Sequence, residues 1–82
     1  MITNRLRELR ERRLREAGDS SAWTQEGLAL RVGVSRQTII AIEKGTYNPS
    51  LELAFKLALA LDLHVEDIFT FDAEEMRGEN ET

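Results

Sequence analysis

Arg36, Gln37, Ile40, Ala41 and Lys44 lie close together in the stretch between Ser35 and Gly45. Wound as a helix at about 100° per residue, with Arg36 at 0°, they occupy an arc from about 0° to 140°, while Ile39 and Ile42 lie near 300° and 240°. Such a face can read base pairs. Arginine donates two parallel hydrogen bonds to guanine O6 and N7, glutamine pairs with adenine N6 and N7, and small apolar groups meet the thymine methyl. Thr24 and Gln25 stand at the start of the preceding predicted helix, where unpaired backbone N–H groups and the helix dipole favour a phosphate. An ordinary solvated helix face is the usual explanation for charges on a short helix, and periodicity alone favours that reading.

Enzyme chemistry finds little support. The single histidine, His64, falls between Leu63 and Val65 at a predicted helix junction, with Asp62, Glu66 and Asp67 nearby. These residues lack a supporting set of metal ligands, so His64 reads as a solvated junction residue and no metal or other cofactor is expected. The sequence has no cysteine, which removes disulfides and cysteine-type zinc sites, and it has no glycine-rich phosphate loop.

Five helical segments would position the arc. The first runs from an N-cap at about Asn4 to Ala17, with Leu6, Leu9, Leu14 and Ala17 on one side. It stops at the turn formers Gly18-Asp19-Ser20-Ser21. Thr24 caps a second helix, Gln25 to Val32, which Gly33 ends; Ser35 caps a third, Arg36 to Lys44, which Gly45 ends. Ser50 caps a fourth, Leu51 to Leu61, after the loop Tyr47-Asn48-Pro49. Only Glu52 and Lys56 are polar in that fourth helix, so nearly its whole circumference calls for burial, against its own core and against a partner chain. A short fifth helix spans about Val65 to Phe69.

The 82 residues suit one domain, 1–71, followed by a polar tail, 72–82, expected to be disordered. The formal charge of -4 argues superficially against nucleic acid, but its distribution does not. Residues 1–16 carry six arginines against three glutamates, whereas the tail carries five acidic groups against Arg77. The rest of the chain is neutral overall. No stretch approaches the ~18 apolar residues of a membrane helix. Met1 to Arg7 lead directly into a charged amphipathic pattern without a signal-peptide core, so a cytoplasmic protein is expected.

The run Thr24-Gln25-Glu26-Gly27-Leu28-Ala29-Leu30-Arg31-Val32-Gly33-Val34-Ser35-Arg36-Gln37-Thr38-Ile39-Ile40-Ala41-Ile42-Glu43-Lys44-Gly45, with Tyr47-Asn48-Pro49-Ser50-Leu51 after it, closely resembles the helix-turn-helix of the Cro/cI phage-repressor (XRE-type) family. The likeness covers residues 4–71 apart from one loop. It implies an all-α, five-helix, lambda-repressor-like domain that binds double-stranded DNA as a homodimer and regulates transcription, most simply as a repressor on a palindromic operator. Carried onto matching positions, it makes Arg36, Gln37, Ile40 and Ala41 base readers. Gln25, Thr38, Lys44, Thr46, Tyr47 and Asn48 become phosphate contacts, together with Thr24 from its place at the helix end. It also implies an internal ion pair between Arg10 and Glu43. In the very short bacterial members that this chain looks most like, the termini form a small antiparallel sheet beside the dimer interface. Met1-Ile2-Thr3 and Phe69-Thr70-Phe71 would supply it here, with Leu59, Leu61, Leu63, Phe69 and Phe71 at the interface.

The chain departs from that pattern in three places. About eight extra residues lie between Arg13 and Trp23, read as an added helical turn and a loop, with Trp23 replacing an aliphatic anchor. Leu30 stands where the family has a polar residue, and the insertion is the available cover for it. Gly27 replaces the glutamate of a capping box, at a cost in hydrogen bonding and helix propensity. A different class of function, an antitoxin or protein-interaction module with secondary autoregulatory DNA binding, is the alternative. The acidic tail or the fourth helix would then serve a protein partner.

Overall fold

The structure, a computed structural model, describes residues 1–18 and 20–74. Asp19, and residues 75–82 of the tail expected to be disordered, lie outside the described residues. The elements follow in the order β1 (Ile2–Asn4), α1 (Leu6–Glu16), a 3₁₀ turn (Ser21–Trp23), α2 (Gln25–Val32), α3 (Arg36–Lys44), α4 (Leu51–Leu61), α5 (Val65–Ile68) and β2 (Phe69–Phe71).

The three middle helices start alike. The hydroxyls of Thr24, Ser35 and Ser50 accept hydrogen bonds from the N–H groups of Gly27, Thr38 and Leu53, each satisfying an otherwise orphaned donor and stabilising its helix by about 1 kcal/mol. Gly33 ends α2 at φ 76°, and Ser35 caps α3 two residues later. That left-handed residue is what lets α2 and α3 meet across so short a turn. Leu6 and Leu9 of α1, Leu28, Ala29 and Val32 of α2, and Ile39 and Ile42 of α3 share one core with Leu53, Leu57, Ala58 and Leu61 of α4 and Ile68 of α5.

Several boundaries differ from the sequence-based expectation. Asn4 is the last residue of β1 rather than the N-cap residue of α1. Its Oδ1 still accepts from Leu6 N–H at 3.0 Å, and its Nδ2 donates to the carbonyl of Ile42 in α3 at 2.9 Å. The extended segment thus begins at Ile2 and includes Asn4, because that side chain bridges two elements. Leu14 is half-buried and Ala17 exposed, so the inner face of α1 is made by Leu6, Leu9 and Arg10. Phe69 leaves the helix at φ -116° to open β2, which pairs antiparallel with β1 in the register Ile2 with Phe71, Thr3 with Thr70 and Asn4 with Phe69. Thr3 and Thr70 share a 2.7 Å hydroxyl hydrogen bond across the pair.

Leu61 requires a correction. Expected at a dimer surface, it is fully buried, because Leu53, Leu57 and Leu61 recur every four residues on the inward face of α4. Leu51, Phe55 and Leu59 recur likewise on the outward face and are exposed.

The insertion forms the 3₁₀ turn and does not cover Leu30, which remains 76% exposed. Instead it explains Gly27. A Cβ on Gly27 would overlap the carbonyl oxygen of Ser21 and lie 2.8 Å from the carbonyl carbon of Ala22, so the turn approaches α2 more closely than any side chain permits. Trp23 packs against the core and holds two guanidinium groups, that of Arg31 at 4.4 Å from the ring centroid and that of Arg13 at 5.8 Å. Both arginines reach the end of α4, where Arg13 Nη2 donates to the Leu61 carbonyl at 2.5 Å and Arg31 Nη2 to the Ala60 carbonyl at 3.3 Å. Cations on those last carbonyls oppose the negative end of the helix dipole.

Helix propensity alone predicts that Gly27→Ala stabilises by roughly 1 kcal/mol. The contact with Ser21 reverses the sign, and urea denaturation of Gly27→Ala is expected to show a loss of about 1 to 3 kcal/mol.

Candidate nucleic-acid interface

α3 is divided along its length. Ile39 and Ile42 are fully buried, Arg36, Gln37 and Lys44 are exposed, and Ile40 and Ala41 are half-exposed between them. The outward arc therefore presents one guanidinium, one amide and two apolar groups, with an ammonium one turn beyond Ile40. Its floor is fixed by a charged network. Arg10 Nε donates to Glu43 Oε2 at 2.7 Å and Arg10 Nη2 to Glu43 Oε1 at 3.2 Å, with side-chain exposures of only 7% and 3%. Arg10 Nη1 also donates to the Trp23 carbonyl at 3.2 Å, and Gln25 Nε2 donates to Glu43 Oε1 at 3.0 Å. One buried carboxylate thereby ties α1, the start of α2 and the end of α3 together.

The phosphate-contact residues named from the sequence divide into committed and uncommitted groups. Thr24 Oγ1 accepts from Gly27 N–H and donates to the Ser21 carbonyl at 2.8 Å, so its hydroxyl serves the helix cap. Gln25 is half-buried and held by Glu43, Thr38 shares a 3.1 Å hydroxyl hydrogen bond with Ser35, and Thr46 Oγ1 donates to the Ala41 carbonyl at 3.2 Å. Lys44, Tyr47 and Asn48 are exposed beside the end of α3. The first turns of α2 and α3 each carry backbone N–H groups that favour an anion.

Two surface features escaped the sequence reading. Arg7 lines a cleft with Glu11, Gln25, Ile40 and Lys44, above the buried Arg10 and Glu43. Its position one helical turn before Arg10 was the available signal. Leu51 and Phe55 share the exposed α4 stripe with Leu59, a pattern readable from i, i+4, i+8 spacing. Of the other apolar residues assigned to a partner surface, Phe71 is exposed, whereas Leu63 and Phe69 are partly buried against the chain's own core.

A helix-turn-helix family profile matches residues 6–68, which spans α1 through α5. The chain belongs to the XRE-type helix-turn-helix family of DNA-binding transcriptional regulators. An HTH-type transcriptional regulator of Archaeoglobus fulgidus is 52% identical over 66 residues, 80% of this chain and 94% of that protein. One from Methanocaldococcus jannaschii is 62% identical over 52 residues, 63% and 79% of the two chains. A regulator of the same designation from Bacillus subtilis, YgzD, is 44% identical over 73 residues, 89% and 98%. This is not an enzyme family. His64 takes a structural place in it, as the N-cap residue of α5 whose backbone N–H donates to the Asp67 carboxylate at 2.8 Å. Among the described residues no group of three metal-ligating side chains converges, and no helix is long and apolar enough to cross a membrane.

Removing one member of a buried ion pair strands the other in a poorly solvated site. Arg10→Ala is expected to lose ~3 to 5 kcal/mol in urea denaturation, and the double replacement Arg10→Met with Glu43→Leu to lose much less. Equal stability of Arg10→Ala and the parent chain would remove the network from its structural role.

Proposed function

We propose that the protein is a homodimeric repressor that occupies a palindromic operator in double-stranded DNA, reading base edges through the outer face of α3. The division of α3 carries this reading: two isoleucines anchor one side while Arg36, Gln37, Ile40 and Ala41 face outward as a set of donors and apolar groups suited to a major groove. Lys44, Tyr47 and Asn48 would hold the DNA backbone with side chains the fold leaves exposed, and Thr24, Gln25, Thr38 and Thr46 would contact it by sharing or exchanging the hydrogen bonds they make within the chain. Residues 1–71 would contain both the reading face and the dimer surface, with the acidic tail 72–82 beyond them, and the protein would act in the cytoplasm, on DNA there.

The dimer reading rests on the stripe Leu51, Phe55 and Leu59 on α4, with Leu59 80% exposed, and on the exposed Phe71 of β2. Leu63 and Phe69 lie at its edge, joining Phe55 and Leu59 around one shallow groove. Pairing this face across a twofold axis would place two α3 helices about one turn of DNA apart, ~34 Å. One observation favours a second reading. Leu30 and Leu59 flank another open groove with Lys56 and Ala60, and a protein partner seated there would make DNA binding secondary, as in an antitoxin.

Selection from a random DNA pool is expected to return a short inverted repeat. On that duplex Arg36→Ala is expected to cost ~1 to 3 kcal/mol and relax discrimination at one base pair, whereas Lys44→Ala weakens all sequences alike and flattens the salt dependence. Uniform loss for both variants would reduce Arg36 to a phosphate clamp. Leu59→Glu is expected to elute as a monomer on a sizing column while keeping its helical circular dichroism. An unchanged elution volume would reject the α4 interface.

A further inference from the structure

The cleft between α1 and α3 contains more charge than the reading face uses. Arg7, Arg10, Glu11, Glu43 and Lys44 all line it, together with Gln25 and Ile40. Arg10 and Glu43 are buried and saturated by each other, by Gln25 and by the Trp23 carbonyl. That leaves Arg7, Glu11 and Lys44 at the mouth. Lys44 is exposed and has no carboxylate within ion-pair distance among the described residues. Arg7 is 70% exposed, and its guanidinium meets Glu11 only loosely, Nε to Oε1 at 3.6 Å.

Neighbouring arginines are differently placed. Arg5 Nε donates to Glu8 at 3.0 Å, and that hydrogen bond holds the Glu8 carboxyl below its ordinary range. Arg12 lies 3.6 Å from the same Glu8, and Arg13 serves the end of α4. Arg7 alone among these shares a cleft with Ile40 and Lys44.

We propose that Arg7 is a DNA-backbone contact supplied by α1, acting across the cleft from Lys44, and that Glu11 is its intramolecular competitor. This rests on the reading of α3 as the DNA-facing helix. In the free protein Glu11 acts as a counterion for Arg7 at the cleft mouth. On docking, the guanidinium exchanges that carboxylate for a phosphate oxygen, and Glu11 is released to solvent. The exchange moves charge partners only, and no bond is made or broken. Glu11 therefore lowers affinity for all sequences by the same factor and leaves discrimination, which the base contacts from α3 set, unchanged.

The test is fluorescence anisotropy with a duplex selected from a random pool and with a random-sequence duplex, across a salt series, for Arg7→Ala, Arg7→Lys, Glu11→Gln and the double variant. Both sites are exposed enough that unchanged thermal unfolding midpoints are expected to accompany the binding data. Arg7→Ala is expected to weaken both duplexes by the same factor and to reduce the magnitude of the log–log salt slope by about 0.9, one phosphate's share, whereas Arg7→Lys retains the slope. Glu11→Gln is expected to tighten both by about two- to fivefold, the range of a surface ion pair, and to have no effect once Arg7 is alanine. A parental slope in Arg7→Ala, with a reduced slope in Lys44→Ala, would overturn the Arg7 contact alone. Equal tightening by Glu11→Gln with and without Arg7 would mean direct repulsion of DNA and overturn the competitor role. Unaltered binding by both Arg36→Ala and Lys44→Ala would overturn the α3 reading and this inference with it.

Discussion

The buried pair of Arg10 and Glu43 decides how α3 is held. Apolar contact through Ile39 and Ile42 determines which side of α3 faces inward, but hydrophobic burial is non-directional and specifies the finer rotation and shift of the helix less sharply. The guanidinium fork of Arg10 is directional, and it grips both oxygens of Glu43 while also satisfying the carbonyl of Trp23. Gln25 takes a further position on the same carboxylate, so the start of α2 is registered against the end of α3. The outward arc from Arg36 to Lys44 is held in orientation by this network.

The insertion adds a second brace that adjoins the first through the Trp23 carbonyl. Trp23 lies against the core and beside the guanidinium groups of Arg13 and Arg31, which reach the last carbonyls of α4. A residue that replaces an aliphatic anchor thus also orders two cations where a helix C-terminus favours them. The close approach of the 3₁₀ turn to α2 excludes a side chain at Gly27, so the glycine that weakens α2 locally is a steric requirement of its tertiary neighbour.

Asn4 links the remaining parts. Its side chain bonds α1 through Leu6 N–H and α3 through the Ile42 carbonyl, while its backbone belongs to the β1–β2 pair. The ribbon carrying Phe71 is therefore connected directly to the helix carrying Arg36. A partner docked on the α4 stripe and the ribbon would meet elements whose orientation relative to α3 is already set by hydrogen bonds.

The sequence by itself determined the helix-turn-helix, because its signals are local. Thr24, Ser35 and Ser50 cap within three residues, Gly33 and Gly45 end their helices in the left-handed region, and the α3 periodicity separates Ile39 and Ile42 from the outward arc. The Arg10 and Glu43 pairing became legible only through family resemblance, since 33 residues separate the two partners and no periodicity connects them. Tertiary structure alone decided the rest. Whether an apolar residue of α4 faces inward depends on where the other helices lie, which is why Leu61 is buried and Leu59 is not although both belong to one hydrophobic run. The same holds for the exposed Leu30, for Asn4 as a bridge and for Arg7 in the cleft beside α3. Local propensity selects helices and their ends, whereas the faces those helices present are set by contacts between residues distant in the chain.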